Sequence, residues 1–523
     1  MFATRTTERC PKAHRAALSL VFGSLGRGWL WGIALAVTAL TLLPGVYLGL
    51  RVVEAGVGES WRIYTSSRTA ELVTGSVALV AGVTLVAVVL GVGLAFLVER
   101  TDLPGRRIAR VALALPLAIP SYIAAYAWVS TFGFQGYWAA VAVLGLGTYP
   151  YVFLPVSAAL RRWNQSLEDV ARTLGRGRWS TFATVTVPHV RPSATAGALL
   201  VALYTLSDFG AVSLLRFDSF TRAIFMSYKA SFDRTAAAVL AVALLVVTLV
   251  ITVIEARVRG RAAEVSAAQQ RVGTPARLGP WRLPALALVW GTLGLALAYP
   301  LVVVAGWTVA GRSAGLGFAD LAGAAWSTVW VCAVAAAVIV VLCLPIGWLS
   351  ARQESRAIGV VHHCLYLAHA LPGLVVALAM TFIGIRLVPS LYQRTPLLIV
   401  TYLVLFAPLA VGAIRSAVAQ SARRLEEVSL TLGLGPVATF RAVTLPLAAP
   451  GVASAFLLVM LTAMKELPAT LLLRPTGMET LATRLWMYTD ELAYAAAAPY
   501  GLALVVAATV PTLALTIAHK ERS

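Results

Sequence analysis

Residues 168–192 read EDVARTLGRGRWSTFATVTVPHVRP, and residues 426–450 read EEVSLTLGLGPVATFRAVTLPLAAP. The two stretches are identical at 12 of 25 positions without a gap, and they lie 258 residues apart in a chain of 523. Each one is a polar interruption between long apolar runs. A repeat of this kind indicates a duplicated unit, and it has to be interpreted before any fold is named.

The apolar composition of the chain identifies its class. Hydrophobic residues make up 59% of the sequence, charged residues make up 12%, and the mean hydropathy is +0.83. An ordinary soluble domain has a charged share of about a quarter, whereas a membrane-spanning helix needs about 20 mainly apolar residues. We therefore predict an all-α polytopic membrane protein with about 12 transmembrane helices. The predicted spans cover residues 29–50, 72–98, 108–131, 137–160, 193–215, 235–255, 284–310, 323–349, 361–385, 396–419, 451–473 and 493–518.

The similarity extends outward from the quoted stretches and divides the chain into halves. LPLAIPSYIAAYAW at 115–128 pairs with LAHALPGLVVALAM at 367–380, and Asp208 falls opposite Glu466. Each half then holds six spans, and an even number returns the chain to the same face, so the halves are parallel duplicates. The predicted regions are a cytoplasmic tail at 1–28, a first half at 29–255 with its polar loop at 161–192, a cytoplasmic linker at 256–283, and a second half at 284–519 with its polar loop at 420–450.

The formal charge of +20 follows this topology. If both termini lie in the cytoplasm, 29 of the 42 Lys and Arg residues lie inside, 12 lie outside, and Lys465 lies within a span. This positive-inside asymmetry predicts cytoplasmic N and C termini. Nucleic-acid binding is disfavoured because the basic residues flank membrane segments and form no single patch. The four cysteines show neither a CxxC pair nor a metal-ligand spacing.

Each polar loop predicts a short amphipathic helix, a turn and a second short helix. Acidic residues stand at the N-terminal end, where the helix dipole favours them. Gly175 and Gly433 follow where a C-terminal cap requires a positive φ. Pro192 and Pro450 are predicted to lie in the first turn of the next span. The apolar positions recur at helical spacing: Leu167, Val170 and Leu174 in the first copy, and Leu425, Val428 and Leu432 in the second.

The loops resemble the cytoplasmic signature of permease subunits in binding-protein-dependent ABC importers. That signature is Glu-Ala-Ala, then Gly seven residues after the Glu, then Ile-x-Leu-Pro beginning ten residues after the Gly. It falls here on Glu168, Gly175, Val185, Val187 and Pro188, and again on Glu426, Gly433, Val443, Leu445 and Pro446. The two alanines are replaced by Asp169-Val170 and Glu427-Val428. The resemblance implies that each loop is a coupling helix that inserts into a cleft of an ATPase subunit.

The resemblance also implies partners that the chain itself does not contain. No GxxxxGK[ST] motif occurs, and none of the four lysines follows a glycine. We therefore expect no cofactor on this chain, with ATP and Mg used by a separate cytoplasmic ATPase, present as a homodimer. A periplasmic or lipid-anchored substrate-binding protein is implied on the outer side, and the implied location is the inner membrane of a bacterium or archaeon.

The double length and three stretches resemble the ferric-iron branch of these permeases. Thiamine, a polyamine or a phosphonate are alternative substrates on the same scaffold. A 12-span carrier driven by an ion gradient would also have two parallel halves, and a scaffold that transports nothing is a further alternative. The three stretches are LPLAIPSYIAAYAW, LYTLSDFGAVSLLRFDSFTRAIF at 203–225 and MKELPATLLLRPTGMETLATRLW at 464–486.

Two acids inside predicted spans are candidates for the translocation path. Asp208 and Glu466 occupy equivalent positions, and intramembrane acids are rare and usually functional. Their oxygens suit a hard cation, although Glu466 can instead pair with Lys465, or both acids can brace helices. Three tyrosines could add phenol oxygens, although tyrosines in spans more often pack or anchor. They are Tyr122, Tyr126 and Tyr204.

Two further groups of polar residues flank the spans. Three histidines cluster near the predicted ninth span. They could relay a metal ion of unknown identity, but a structural role is favoured. The outer loops carry most of the external charge, and we expect them to receive the two lobes of a loaded binding protein, with ordinary solvated loops as the alternative. The histidines are His362, His363 and His369; the outer charges are Arg216, Asp218, Arg222, Lys229, Asp233, Arg474, Glu479, Arg484, Asp490 and Glu491.

Overall fold

The computed structural model of the protein describes residues 24–162, 171, 173–175, 177–229, 234–265, 276–311, 317–353, 355–369 and 371–520. These residues are almost entirely helical. They contain no β-strand, only one isolated bridge between Thr101 and Ala276. The all-α prediction is confirmed.

The first half consists of long membrane helices that are joined by shorter helices, some of them at sharp bends. Apolar residues continue around most of these helices, as expected for helices that contact protein on one side and lipid on the other. Their bounds are Ser24–Ala55, Val57–Tyr64, Ser67–Arg100, Arg106–Ala112, Leu115–Ala118, Ser121–Phe132, Tyr137–Thr148, Pro150–Arg162, Arg178–Thr181, Phe182–Thr186, Val187–Ser207, Gly210–Leu214, Phe220–Lys229 and Arg234–Val265.

The second half repeats this order from its long helix Phe318–Arg352 onward, which corresponds to Ser67–Arg100 in the first half. In both halves a π-helix of five residues, Phe182–Thr186 or Phe440–Thr444, leads from the polar loop into a membrane helix. The bounds are Gly279–Trp281, Arg282–Leu293, Gly294–Ala298, Tyr299–Ala310, Phe318–Arg352, Arg356–His369, Gly373–Arg386, Pro389–Leu391, Thr395–Gln420, Arg423–Thr431, Pro436–Thr439, Phe440–Thr444, Leu445–Met464, Pro468–Leu473, Leu481–Asp490 and Tyr494–Lys520.

The described residues include nine helices that are long and apolar enough to cross a membrane, or eleven if each of two bent pairs is one span. The helix Val187–Ser207 is the counterpart of Leu445–Met464, but its first turns carry His189 and Arg191 and are more polar. With this helix included, every predicted span coincides with a straight, bent or broken helix.

The two bent pairs fall where the sequence predicts single spans at 108–131 and 361–385. The chain turns by 87° before Ser121–Phe132 and by 99° before Gly373–Arg386. Pro120 and Pro372 stand directly before these second helices, with extended ψ values of 138° and 140°. Proline supplies no N–H and forces the residue before it out of the helical region, so both helices have to restart.

Two predicted spans are wrong as continuous helices. The span predicted at 193–215 begins earlier, at Val187, and its helix stops at Ser207; the span predicted at 451–473 begins at Leu445 and stops at Met464. Short helices, Gly210–Leu214 and Pro468–Leu473, follow the breaks. The breaks contain Asp208 in the first half and Lys465-Glu466 in the second, so the chain leaves the helix where its polar side chains can bond exposed backbone groups.

The helix Ser67–Arg100 illustrates how the apolar surface is divided. One face packs into the protein, and the opposite face is exposed on the surface of the chain. Because both faces are apolar, the exposed face is suited to lipid. The buried residues are Leu79, Val83, Ala87 and Leu94, and the exposed ones are Val77, Leu85 and Val89.

Candidate functional site

The polar loop of the second half folds as a capped helix. The helix Arg423–Thr431, which we call the coupling helix after its predicted role, ends at Leu432, and Gly433 follows with a φ of +86°. Gly433 N donates to Leu430 O at 3.1 Å, and Leu434 N donates to Ser429 O at 3.2 Å. This pair of bonds is a Schellman cap, which needs a left-handed residue at the glycine position. The predicted order of helix, turn and second short helix is therefore confirmed in this copy.

The coupling helix leaves its apolar side uncovered. Leu425, Val428 and Leu432 lie along one side of the helix, and their exposed fractions are 48%, 53% and 76%. We call these three residues the docking face. Ser429, on another side of the helix, is buried and its hydroxyl bonds that of Thr439 at 3.0 Å in the second short helix. The loop is thus fastened by its polar side while its apolar residues stay exposed, an arrangement typical of an interaction site.

The polar loop of the first half matches the second wherever it is described. Gly175 is exposed and has a φ of +81°, which agrees with the predicted cap. Val185 is partly buried, and Val187 and Pro188 are exposed at the start of the following helix. Glu168 and Asp169 lie outside the described residues.

The end of the signature lies in a helix that starts earlier than predicted. Val443 belongs to the π-helix Phe440–Thr444, while Leu445 and Pro446 begin the membrane helix. Pro192 and Pro450 therefore lie inside helices instead of in a first turn, and this prediction is wrong. The proline in the first turn is Pro188 or Pro446, where a missing N–H costs nothing.

The two acids of the coupling helix have different surroundings. Glu426 is largely buried and its carboxylate accepts bonds from Arg352, the last residue of Phe318–Arg352. Glu427 is exposed and lies 3.5 Å from Arg423, one turn earlier in the same helix. Of these two acids, only Glu427 is therefore freely accessible to a partner.

Asp208 closes the break in the first half. Its Oδ1 accepts bonds from Ala211 N at 2.9 Å and Val212 N at 3.3 Å, the first free amides of the next short helix. Its other oxygen accepts a hydrogen bond from Ser121 Oγ, in the first turn of the helix after the 87° bend. One carboxylate therefore caps the restarted helix and ties it to the bend.

Glu466 has the corresponding position in the second half. Its Oε1 accepts a bond from Ala469 N at 3.2 Å, at the start of the next short helix. A Cβ added at Gly373, the first residue after the 99° bend, would lie 3.0 Å from the same oxygen. The glycine therefore leaves room for the carboxylate beside the start of that helix, which corresponds to the position of Asp208 beside Ser121. This geometry supports the bracing interpretation of both acids.

The three candidate tyrosines have separate roles in the packing. Tyr126 Oη donates to Tyr494 O in the other half at 2.7 Å. The ring of Tyr204 packs against Tyr151 at 5.7 Å between centroids. Tyr122 is buried, and its hydroxyl has no partner among the described residues. It lies within electrostatic range of Glu466 in the other half.

Lys465 contacts the first half instead of pairing with its neighbour Glu466. Its Nζ donates to Leu117 O at 3.1 Å, in the turn that precedes the 87° bend. At the same interface the ring of Phe209 lies 5.1 Å from that of Trp486. The breaks in both halves therefore take part in contacts between the halves.

The histidines do not converge on a metal site. His362 Nε2 lies 2.6 Å from Arg415 Nη1, and His363 Nδ1 lies 2.6 Å from Gly359 O. The side chain of His369 lies outside the description. Within the described residues no group of three or more His, Cys, Asp or Glu side chains could hold a metal ion.

The outer charges are organised around one acid in each half. Asp218 pairs with Arg222 and lies 3.0 Å from Arg68. Glu479 pairs with Arg474 and lies 3.8 Å from Arg484. Asp233 lies outside the described residues. Each half therefore presents a paired cluster in the loop that is predicted to be the outer one, and charged rims can guide a partner.

Comparison with known proteins extends the repeat to a family. Residues 87–263 and again residues 343–521 match the family described as "Binding-protein-dependent transport system inner membrane component". Each matched region contains one polar loop and one broken helix, and the double match confirms the predicted duplication.

Among curated proteins, the chain is similar to the Fe(3+)-transport system permease protein FbpB 2 of Haemophilus influenzae, at 34% identity over 496 residues that cover 93% of this chain and 97% of that protein. It is also similar to the sulfate transport system permease protein CysT of Escherichia coli, at 30% identity over 34% of this chain and 70% of that protein. The molybdenum transport system permease protein ModB of Escherichia coli is 30% identical over 23% of this chain and 60% of that protein.

Proposed function

The chain belongs to the inner membrane components of binding-protein-dependent transport systems, and from this premise we propose that it supplies both permease halves of a ferric-iron ABC importer. The observation that carries the proposal is the docking face, which stays exposed on a loop that the fold holds firmly. A loop that only stabilised its own bundle would bury these residues. The proposed occupant is a cleft in a cytoplasmic ATPase, one copy at each polar loop.

The proposed orientation follows from the charges and from the loops. Both polar loops lie on one side because each half has the same order of helices. If the ATPase is cytoplasmic, this side and both termini are cytoplasmic, as the positive-inside pattern predicts. The proposed location is the inner membrane of a bacterium or archaeon.

Ferric iron is the substrate that the similarity favours. The ferric-iron permease matches this chain over nearly its whole length, whereas the sulfate and molybdenum permeases match about a third or less of it.

The proposed mechanism is alternating access driven by the partner ATPase. ATP binding closes the ATPase dimer, draws the two polar loops together and opens the path toward the binding protein; hydrolysis resets it. The paired clusters around Asp218 and Glu479 are the proposed contacts for the two lobes of that binding protein. The chain binds no nucleotide in this scheme, and ATP and Mg belong to the ATPase.

The decisive experiment compares ligands on one reconstituted complex. Permease, ATPase and cognate binding protein are combined in proteoliposomes, and ATP hydrolysis is measured with the binding protein loaded in turn with ferric iron, thiamine, a polyamine, a phosphonate, sulfate and molybdate. We expect only the ferric form to stimulate hydrolysis, by about tenfold, a change typical of coupled sites. Stimulation by another ligand and not by iron would overturn the substrate assignment.

The contact between Lys465 and Leu117 gives a second prediction. Lys465→Met keeps an unbranched side chain but removes a charged hydrogen bond that contributes about 1.5–3 kcal/mol. Because this bond joins the halves, we expect its loss to ease the change between the inward-open and outward-open states. ATP hydrolysis without the binding protein should then rise by about fivefold.

The control for this variant is Lys229→Met. Lys229 lies 5.4 Å from the centre of the Phe225 ring within one half, so its loss leaves the interface intact. A basal rate in Lys465→Met equal to that in Lys229→Met would contradict a role of Lys465 between the halves.

A further inference from the structure

We propose that Arg352 is a positioning residue that transmits movement of the coupling helix to the membrane helices. The proposal deepens the proposed function and rests on the docking of an ATPase at the coupling helix. It gives the signature acid Glu426 a partner within its own chain.

The first step is the contact between Arg352 and Glu426. Arg352 Nε lies 3.2 Å and 3.1 Å from the two carboxylate oxygens, and Nη2 lies 2.8 Å from Oε1. The side chains are 10% and 12% exposed. A planar guanidinium bonded at two nitrogens fixes the direction of the carboxylate as well as its distance.

The second step is that the same guanidinium holds a neighbouring membrane helix. Arg352 Nη2 also donates to Ser421 O at 3.1 Å and to Ser421 Oγ at 2.6 Å. Ser421 is the residue that ends the helix Thr395–Gln420. Arg352 therefore joins the cytoplasmic ends of two membrane helices to the coupling helix.

The third step extends the contact to a third membrane helix. Glu426 Oε1 accepts a further bond from Thr444 Oγ1 at 2.9 Å, directly before Leu445–Met464. This is the helix that leads to the break at Lys465-Glu466. Displacement of Glu426 is therefore passed to the helix that carries the candidate path residues, because the atoms between them are buried and bonded.

The first half contains the matching parts. Arg100 ends Ser67–Arg100 as Arg352 ends Phe318–Arg352, and Arg100 is buried. Thr186 stands in the position of Thr444, and it too is buried. Glu168, in the position of Glu426, lies outside the described residues.

This arrangement separates two tasks within one helix. The docking face supplies the surface that the ATPase contacts, whereas Glu426 sets the angle at which that surface is presented. Glu427 is the natural comparison, because it is the adjacent acid on the same helix and pairs only with Arg423 on the exposed surface. Exposed pairs of this kind contribute little.

The test compares Arg352→Gln, Glu426→Gln, the double variant and the control Glu427→Gln. Amide hydrogen exchange is first measured on the full-length permease alone, which makes this readout independent of substrate and ATPase. We expect exchange in residues 421–444 to rise at least about tenfold in both single variants and to stay at the wild-type level in the control. Unchanged exchange in Arg352→Gln would overturn the proposal.

The second readout is ATP hydrolysis by the complex. Both single variants are expected to lower the stimulated turnover number about tenfold while the concentration of ATPase needed for half-saturation changes less than about twofold. The double variant should be no worse than either single one, because both remove the same contact. Additive losses, or a loss confined to Glu426→Gln through weaker ATPase binding, would mean that Glu426 contacts the ATPase directly.

A conservative variant and a docking variant complete the design. Arg352→Lys keeps the positive charge but loses the planar guanidinium that bonds both carboxylate oxygens. It should therefore recover part of the turnover lost in Arg352→Gln. Leu432→Asp should instead weaken ATPase binding with little effect on exchange in the free permease. If the wild-type complex shows no stimulated hydrolysis, the proposed function fails, while the exchange result still decides the role of Arg352.

Discussion

Asp208→Ala is expected to lower iron uptake by at least about 20-fold, whereas Asp208→Asn should lower it only about threefold. The alanine variant leaves Ala211 N and Val212 N without their acceptor and releases Ser121, and each buried donor left without a partner costs about 1–3 kcal/mol. An asparagine keeps the Oδ1 acceptor, and its amide can still bond the serine hydroxyl. Uptake of labelled iron into proteoliposomes is the measurement.

The comparison separates the two interpretations of this acid. If the carboxylate binds a cation on the path, its charge is essential, and asparagine should be as harmful as alanine. That outcome would contradict the capping role. Glu466→Gln and Glu466→Ala repeat the test in the second half, and Glu59→Gln serves as a control because Glu59 is a surface acid that pairs with Arg62 in the same short helix, away from the breaks. Thermal unfolding of each variant shows whether it is folded.

Gly433→Val is expected to reduce ATP hydrolysis stimulated by the loaded binding protein by about tenfold. A left-handed residue with a side chain costs about 1–2 kcal/mol, and more when it is β-branched. No neighbouring atom lies within 4 Å of an added Cβ at this position, so the cost comes from the backbone alone. The helix end has to reorient, and the docking face moves with it. Gly175→Val should act in the same way.

The chain provides matched controls for this prediction. Gly435 and Gly177 lie two residues further on in the two loops, have equally open surroundings and have no positive φ. Valine at these two positions should preserve at least about half of the stimulated rate of ATP hydrolysis, a much smaller loss than the tenfold one expected for Gly433→Val. Gly433→Asn should also be tolerated, because asparagine adopts the left-handed conformation more readily than other residues. If Gly435→Val lowered the stimulated ATP hydrolysis as much as Gly433→Val, the loss would come from the size of the added side chain and not from the left-handed backbone.

The polar loops were predictable because their signals are local. The spacing of apolar residues, the acids at the N-terminal end and the glycine at the cap all lie within 25 residues, and the described parts follow them. The pairing of Arg352 with Glu426 was not predictable in this way, since 74 residues separate the two. The sequence assigned Glu426 to the ATPase by resemblance alone, and it offered no sign of the arginine.

The broken helices show where hydropathy fails. Apolar residues continue on both sides of Asp208 and of Lys465-Glu466. Hydropathy averaged over the length of a span therefore predicts one continuous helix at each place. The acids themselves, followed by Gly210 or Pro468, were the available signal for a break. Hydropathy also gives no sign of the bends at Pro120 and Pro372, where the chain turns by about a right angle, because a kinked helix and a restarted helix can share the same apolar sequence.

Both polar loops belong to one polypeptide, although their sequences differ at about half of the aligned positions. A permease built from two identical chains would carry every loop mutation twice. Here a single base change alters one loop and spares the other, so selection can adjust the two loops independently against the proposed ATPase copies. Translation of one message also yields the two halves in equal numbers, and no mismatched dimer can form between them.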